Sequence, residues 1–412
     1  MRILVVTQYF WPESFRINDL VAGLTEKGHA VTVVTGMPNY PSGELFKGYG
    51  VFTPAVEKFG ETVVYRCPLF TRGRGSKWRL ALNYLSFALS ASALAPLRCR
   101  GSFDVIFVYE PSPVTVGIPA VVMKKLKKMP ILFWVQDLWP DSLVATGAVT
   151  SHWILEAVAK LVRFIYRHCD CILVQSEGFI SRVSQMGVES RRIHYFPNWA
   201  EAFYRPLELN AEAPELHELP QGFRVLFAGN IGVAQSFDTI LTAAEQLKAF
   251  PDIQWIIVGD GHLKEWVQDQ ISARGLTGTV HLLGSRPAHA MPRYFAAADT
   301  LLVTLKRDPA FAFTVPSKVQ SYLACGRPII AALDGEGAKV IERSGAGFAA
   351  AAEDAQDLAA RLLTLYRMSP DARRDMGMRG RQYYEAEFGR DRLITRLEQI
   401  MGKVAGAVEC AS

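Results

Sequence analysis

Four residues of the stretch FTVPSKVQSYLACGRPII (residues 313–330) carry chemistry at a helical spacing. Lys318, Ser321, Tyr322 and Cys325 stand at i, i+3, i+4 and i+7, so a helix presents them on one face, while Val319 and Leu323 fall on another. Pro316 suits the first helical turn, Gly326 the stop, and Pro328 lies just beyond. Lys318, two residues into this helix, is repelled by the positive end of the helix dipole. A cation kept there at a cost points to a bound anion. Arg286, in LGSRP (283–287), offers a second positive group, and Ser317 and Ser321 offer hydroxyls.

Glycines sit where such a ligand would approach backbone. FAGNIGVAQSFD (227–238) carries Gly229 and Gly232, with Asn230 and Gln235 among them, ahead of a helix expected from about Ser236. VGDG (258–261) carries Gly259, and Gly284 precedes Arg286. Neither glycine set fits G-x-G-x-x-G, which argues against a dinucleotide dehydrogenase. In the first half, TQYFWPESFRIND places Glu13 and Arg16 after an apolar run, with Arg16 near a helix start that favours an anion. The alternative there is an exposed, salt-bridged turn. FWVQDLWPDS places Gln136 and Asp137 at the end of another run, where a carboxylate can accept from or orient a substrate hydroxyl. The alternative is structural, with Asp141 or Ser142 capping the next helix and Asp137 satisfying backbone donors. A Walker loop, G-x-S-x-G, H-E-x-x-H and D-x-D are all absent, so helix termini and side-chain cations are expected to neutralise the anion without a metal.

The elements that must position these residues are β-rich runs alternating with longer amphipathic stretches. RILVVT, AVTVVT, TVVYRC, DVIFVY, ILFWVQ, CILVQS and RIHYFP come first, then FRVLFAG, IQWIIVGDG, TVHLLG, DTLLVTL, RPIIAAL and GAGFAAA. Most are continuously apolar, as strands buried on both faces require. The pattern predicts an α/β protein of two tandem, doubly wound, Rossmann-like domains with a cleft between their strand C-termini. The expected boundaries are 1–200 and 223–388, a Pro- and acid-rich linker at 201–222, and a C-terminal helix at 389–412 packing back on the first domain. Residues 77–100 form an apolar stretch with basic ends. They read as the helix due at that point, either packed in the domain or dipping into a membrane; full crossing is not expected.

The chain has 412 residues and a net charge of +5, with a strong asymmetry. Residues 1–200 hold 22 Lys and Arg against 14 Asp and Glu, and the remainder 23 against 26. The basic first half suits an anionic membrane surface or a phosphate-bearing lipid, and no nucleic-acid motif accompanies it. Cys67, Cys99, Cys169, Cys171, Cys325 and Cys410 lack metal-type spacing, so a reduced, cytosolic setting is expected. The N-terminus runs directly into a strand-like segment without a cleavage-site pattern.

GHAVTVVT, FDVIFVYEPS, FPNW, VLFAGNIG, IIVGDG and the Gly-Arg-Pro segment, in that order, resemble the GT-B glycosyltransferases of family 4 nearly end to end. QYFWPE, QDLWPDS, GNIGVAQ and VPSKVQSYLACGRP resemble a subgroup that builds O-antigen and capsule repeats, often labelled L-fucosamine transferases. The resemblance implies a retaining, metal-independent transfer from a nucleotide diphosphate sugar, usually UDP-linked. No cofactor beyond that substrate is implied. For the subgroup the acceptor is a saccharide on undecaprenyl diphosphate at the cytoplasmic membrane face, which makes the protein cytoplasmic and peripheral on that membrane. The alternatives are a nucleotide-sugar epimerase of the same architecture and a non-catalytic sugar-nucleotide-binding protein.

Several residues depart from the family pattern. Two glutamates are replaced by Phe313 and Ser321, the diphosphate-gripping Arg and Lys by Asn230 and Gln235, and a histidine by Gln136. Lys318, Arg286, Ser317 and Arg16 are the candidate replacements for holding the diphosphate.

Overall fold

Each of these apolar runs forms a strand in the computed structural model, which describes residues 1–50, 55–73, 77–145, 147 and 149–409. The first sheet comprises β1 (Arg2–Val6), β2 (Ala30–Gly36), β3 (Val56–Phe59), β4 (Thr62–Cys67), β5 (Val105–Glu110), β6 (Ile131–Val135), β7 (Cys171–Val174) and β8 (Ile193–Tyr195). Its order is β3-β4-β2-β1-β5-β6-β7-β8. In the central register Ile3 lies opposite Val31 on one side and Val105 on the other. All pairs are parallel except β3 with β4. Every residue of β5, β6 and β7 is buried, which explains their unbroken apolar sequences. β3 has no counterpart among the expected strands. Its Val-Glu-Lys-Phe sequence forms a short edge strand with no buried residue, paired through a tight turn to β4.

The second sheet is wholly parallel and comprises β9 (Phe223–Ala228), β10 (Ile253–Val258), β11 (Val280–Gly284), β12 (Thr300–Thr304), β13 (Ile329–Ala332) and β14 (Gly347–Ala350). Its order is β11-β10-β9-β12-β13-β14. Alternate side chains feed separate cores on its two faces. Leu226, Ile256 and Leu301 enter one, and Phe227, Trp255 and Leu302 the other. The strand order reverses between β1 and β5 in the first sheet and between β9 and β12 in the second. Loops leaving the strand C-termini at such reversals form the ligand crevices of doubly wound sheets.

The chain divides into two compact units, Met1–Pro197 with Asp391–Ser412, and Asn198–Arg390. The final helix, Arg390–Glu409, joins the first unit, where Glu398 pairs with Lys27 at 2.9 Å and with His29 at 2.7 Å. Residues 201–222, read above as a linker, are integrated into the second unit. They contain a helix, Pro214–Glu218, whose Glu215 accepts hydrogen bonds from Arg293 at 2.5 and 2.9 Å. Cys67, Cys99, Cys169, Cys171 and Cys325 are buried free thiols, and Cys410 lies outside the described residues.

Candidate functional site

In the second unit, the β9–β12 reversal gathers most of the residues singled out from sequence. The helix Ser317–Ala324 begins there, with Pro316 preceding it and Lys318 in its first turn. Lys318 reaches back over β9, and its Nζ lies 3.7 Å from the centroid of the Phe227 ring. The residue is partly exposed, but the Nζ itself is buried and has no hydrogen-bond partner. Burial pushes its pKa down to about 7, while the Phe227 face favours the ammonium. A buried ammonium with no acceptor is costly, and an anionic ligand would supply what it lacks.

The glycines explain how Lys318 fits. Gly229 has φ +136°, and a Cβ there would lie 2.7 Å from Lys318 Cε and 3.0 Å from Nζ. Gly259, φ +156°, packs so closely that a Cβ would stand 1.8 Å from the Gly229 carbonyl oxygen. The glycines therefore permit backbone to approach backbone and lysine. Gly259 N–H donates to the Gly284 carbonyl at 2.9 Å, so Gly284 holds the second glycine loop in place. Gly232 is buried, and Gln235 follows it in a short turn tied across the reversal. Thr304 Oγ1 donates to the Gln235 carbonyl at 2.5 Å, and Lys306 N–H to that of Ala234 at 2.9 Å. Gln235 Oε1 is buried without a partner, a second unfilled polar atom at the same reversal. Asn230 is exposed beside it, with its Nδ2 2.4 Å from where a Gly232 Cβ would stand.

Ser317 is exposed at the helix start, and Ser321 is buried with its hydroxyl donating to the Ser317 carbonyl at 3.1 Å. Arg286 is not brought to this group. It follows the edge strand β11, and each of its donor nitrogens is engaged. Nε donates to Tyr294 at 2.9 Å, Nη1 to the Leu283 and Ser285 carbonyls at 2.9 and 3.1 Å, and Nη2 to Glu218. This ion pair fastens the 214–218 helix, which is why the supposed linker is acidic.

In the first unit, the β1–β5 reversal holds Arg16 at the first turn of helix Arg16–Glu26, near buried Tyr109. Glu13 is not in an exposed, salt-bridged turn. It is buried and accepts hydrogen bonds from the backbone N–H groups of Phe10, Asn39 and Tyr40 at 3.2, 2.8 and 2.7 Å. It thus pins the loop after β1 to the loop after β2. Gln136 and Asp137 leave β6 together, and Gln136 N–H donates to the Glu110 carbonyl at 3.0 Å. Asp137 accepts from the Trp139 indole at 3.2 Å, and burial raises its pKa. Asp141 is bound to Arg182 at 2.5 and 2.9 Å.

Glu110, which sequence reasoning passed over, is fully buried at the end of β5. The N–H groups of Asp137 and Gln136 approach it, yet neither carboxylate oxygen closes a hydrogen bond of normal geometry. Burial, then the Asp137 charge, push its pKa well up. A carboxyl ending an apolar strand beside a reversal was the signal available in VIFVYE. Phe227 was also missed, because strand periodicity assigns it to the core. Among the described residues, no group of three or more His, Cys, Asp or Glu is placed to hold a metal ion.

The glycosyl transferase 4-like domain profile matches residues 14–199, and the glycosyl transferases group 1 profile matches residues 212–383. The chain belongs to the GT-B glycosyltransferases of family 4. A curated relative, the putative colanic acid biosynthesis glycosyl transferase WcaI of Escherichia coli K12, is 26% identical over 338 residues, 79% of this chain and 82% of that one. Among solved structures, sucrose-phosphate synthase from Thermosynechococcus elongatus superposes with a TM-score of 0.74 at 16% identity, covering 99% of this chain and 100% of that one. Anabaena HepE in complex with UDP superposes with a TM-score of 0.68 at 16% identity, covering 98% and 100%. These two likenesses concern the fold. Within this glycosyltransferase, the reversal around Lys318 lies inside the matched group 1 region, and Arg16, Gln136 and Asp137 lie inside the matched 4-like region.

Proposed function

We propose that this glycosyltransferase moves a sugar, an N-acetylated or deoxy amino sugar, from UDP to a saccharide carried on a lipid diphosphate. The product serves O-antigen, capsule or exopolysaccharide synthesis, and the transfer retains anomeric configuration without a metal. The observation that carries this reading is the buried, partnerless Lys318 ammonium between Phe227 and Gly229. Negative charge develops on the leaving diphosphate in the transition state, and a desolvated cation already in position stabilises it more than a solvated one does. Gln235 and Asn230, where the family pattern has cations, leave Lys318 as the principal charge, and Arg286 is committed to Glu218. On the first unit, Gln136 and Asp137 serve the acceptor hydroxyl. The leaving diphosphate takes the acceptor proton, so no protein nucleophile is needed.

Two comparisons support this reading: the colanic acid relative, which is named for polysaccharide biosynthesis, and the UDP held by HepE. The basic first half suits a protein peripheral on the cytoplasmic face of the membrane. The test is incubation of folded protein with a panel of UDP- and GDP-sugars and a lipid diphosphate-linked saccharide. Consumption of a UDP-N-acetylhexosamine or its deoxy relative only when acceptor is present supports the proposal. No consumption of any donor would contradict it, and conversion of donor alone would indicate an epimerase.

A further inference from the structure

The helix Lys77–Arg98 is built inside out. In an ordinary surface helix the leucines face the core and polar residues face water. Here the buried side is Asn83, Phe87 and the small residues Ala88, Ala91 and Ala95. The outer side carries Trp78, Leu85, Leu89 and Leu97, which are 67%, 52%, 72% and 68% exposed, with Ala81 and Ala93 exposed between them. From Leu80 to Leu97 there is no charged residue. The serines present no free donor either. Ser86 donates to the Asn83 carbonyl at 3.1 Å, Ser90 to that of Pro68 at 2.6 Å, and Ser92 to that of Ala88 at 2.6 Å. This is a surface prepared for an apolar medium.

We propose that this helix seats the protein on an anionic lipid bilayer, lying in the plane of the surface with its leucine face among the acyl chains. The helix is long and apolar enough to cross a membrane, but its inner side fixes it to the domain. Buried Asn83 accepts from Gln8 at 2.7 Å and donates to the Phe70 carbonyl at 2.6 Å, bonds that a crossing helix would lose. An in-plane helix of 22 residues presents about 33 Å of apolar edge while keeping them.

The surroundings choose the partner. Lys77 and Arg79 precede the apolar stripe, and Arg98 and Arg100 follow it. The neighbouring helices Gly117–Lys127 and His152–His168 add exposed Lys125, Lys160 and Arg167, and Glu156 is the single acid in the three helices. They also expose Leu126, Trp153 and Phe164 at 63%, 72% and 43%. Apolar residues ringed by cations match anionic headgroups over an acyl layer, with tryptophan suited to the boundary. A second copy of this chain would bring like charges together across the same ring.

The proposal deepens the membrane location given above, and its test needs no sugar. Full-length protein is floated with vesicles of phosphatidylglycerol and phosphatidylethanolamine, and with phosphatidylcholine alone, at low and high salt. The expected result is binding to the anionic vesicles that high salt reduces but does not abolish. The double variant Leu85→Glu/Leu89→Glu should bind at least about tenfold more weakly at both salt levels, and Lys125→Glu should bind more weakly than wild type at low salt and equally at high salt. Trp78→Ser/Leu97→Ser provides a second, independent pair should the first fail to fold by circular dichroism. Turnover of a water-soluble acceptor should be the same in wild type and the leucine variants, so failure of the lipid reading is distinct from failure of the transferase reading. Vesicle binding unaffected by both pairs, complete release by salt, or self-association through this face without vesicle binding would each overturn the proposal.

Discussion

Lys318 owes its character to three neighbours, each with its own consequence. Phe227 supports the ammonium from below, Gly229 leaves room for its chain, and burial withholds any acceptor. With its pKa pushed down to about 7 from 10.5, folded Lys318 sheds a proton between those values that the unfolded chain keeps. Its contribution therefore makes stability rise with pH across that window, and it is a full cost below it. Urea unfolding at several pH values should show this rise, and Lys318→Met should flatten it. A diphosphate reverses the preference, so UDP binding should weaken as pH climbs through the window. Gly229→Ala tests the second neighbour. At φ +136°, with a Cβ 2.7 Å from Lys318 Cε, it should cost about 1–3 kcal/mol of stability and weaken UDP binding; unchanged UDP affinity by calorimetry would separate the glycine from the site.

Loops are held by atoms whose purpose is invisible in a linear reading. Glu13 looks like a site carboxylate but satisfies three backbone donors from two loops. Glu13→Ala should cost roughly 3 kcal/mol, since stranded buried N–H groups are individually expensive. Denaturant unfolding reads this directly, and a loss under about 0.5 kcal/mol, the ordinary scale of a surface substitution, would mean that water replaces the carboxylate. Strands buried on both faces were legible because continuous apolar runs have few other uses. β3 was not, because an exposed four-residue edge strand leaves no apolar signature. The acids and prolines of 201–222 read as a linker because their partners are distant in sequence: Arg293 for Glu215, and Arg286 for Glu218. The same distance made Arg286 look free. Lys318 was legible for the opposite reason, since its conflict with the helix dipole is local.

Two doubly wound units each place a candidate cation at the reversal of strand order, Arg16 in the first and Lys318 in the second, and the chemistry follows from which groups stand there. In the second unit the reversal offers Lys318, glycine backbone and Gln235, and neutralisation by a side-chain cation predicts a rate insensitive to chelation. Activity in excess EDTA should equal that in magnesium, and loss of activity restored by a divalent ion would require ligands beyond those described here. The proposed transfer depends above all on Lys318 receiving the donor diphosphate. Calorimetric titration of UDP into wild type and Lys318→Met measures it most directly, because methionine keeps an apolar chain over Phe227 while removing the charge. A charge-assisted contact predicts UDP binding about ten- to a hundredfold weaker in the variant, with the fold intact. Equal affinity in the two proteins would mean that Lys318 does not hold the diphosphate.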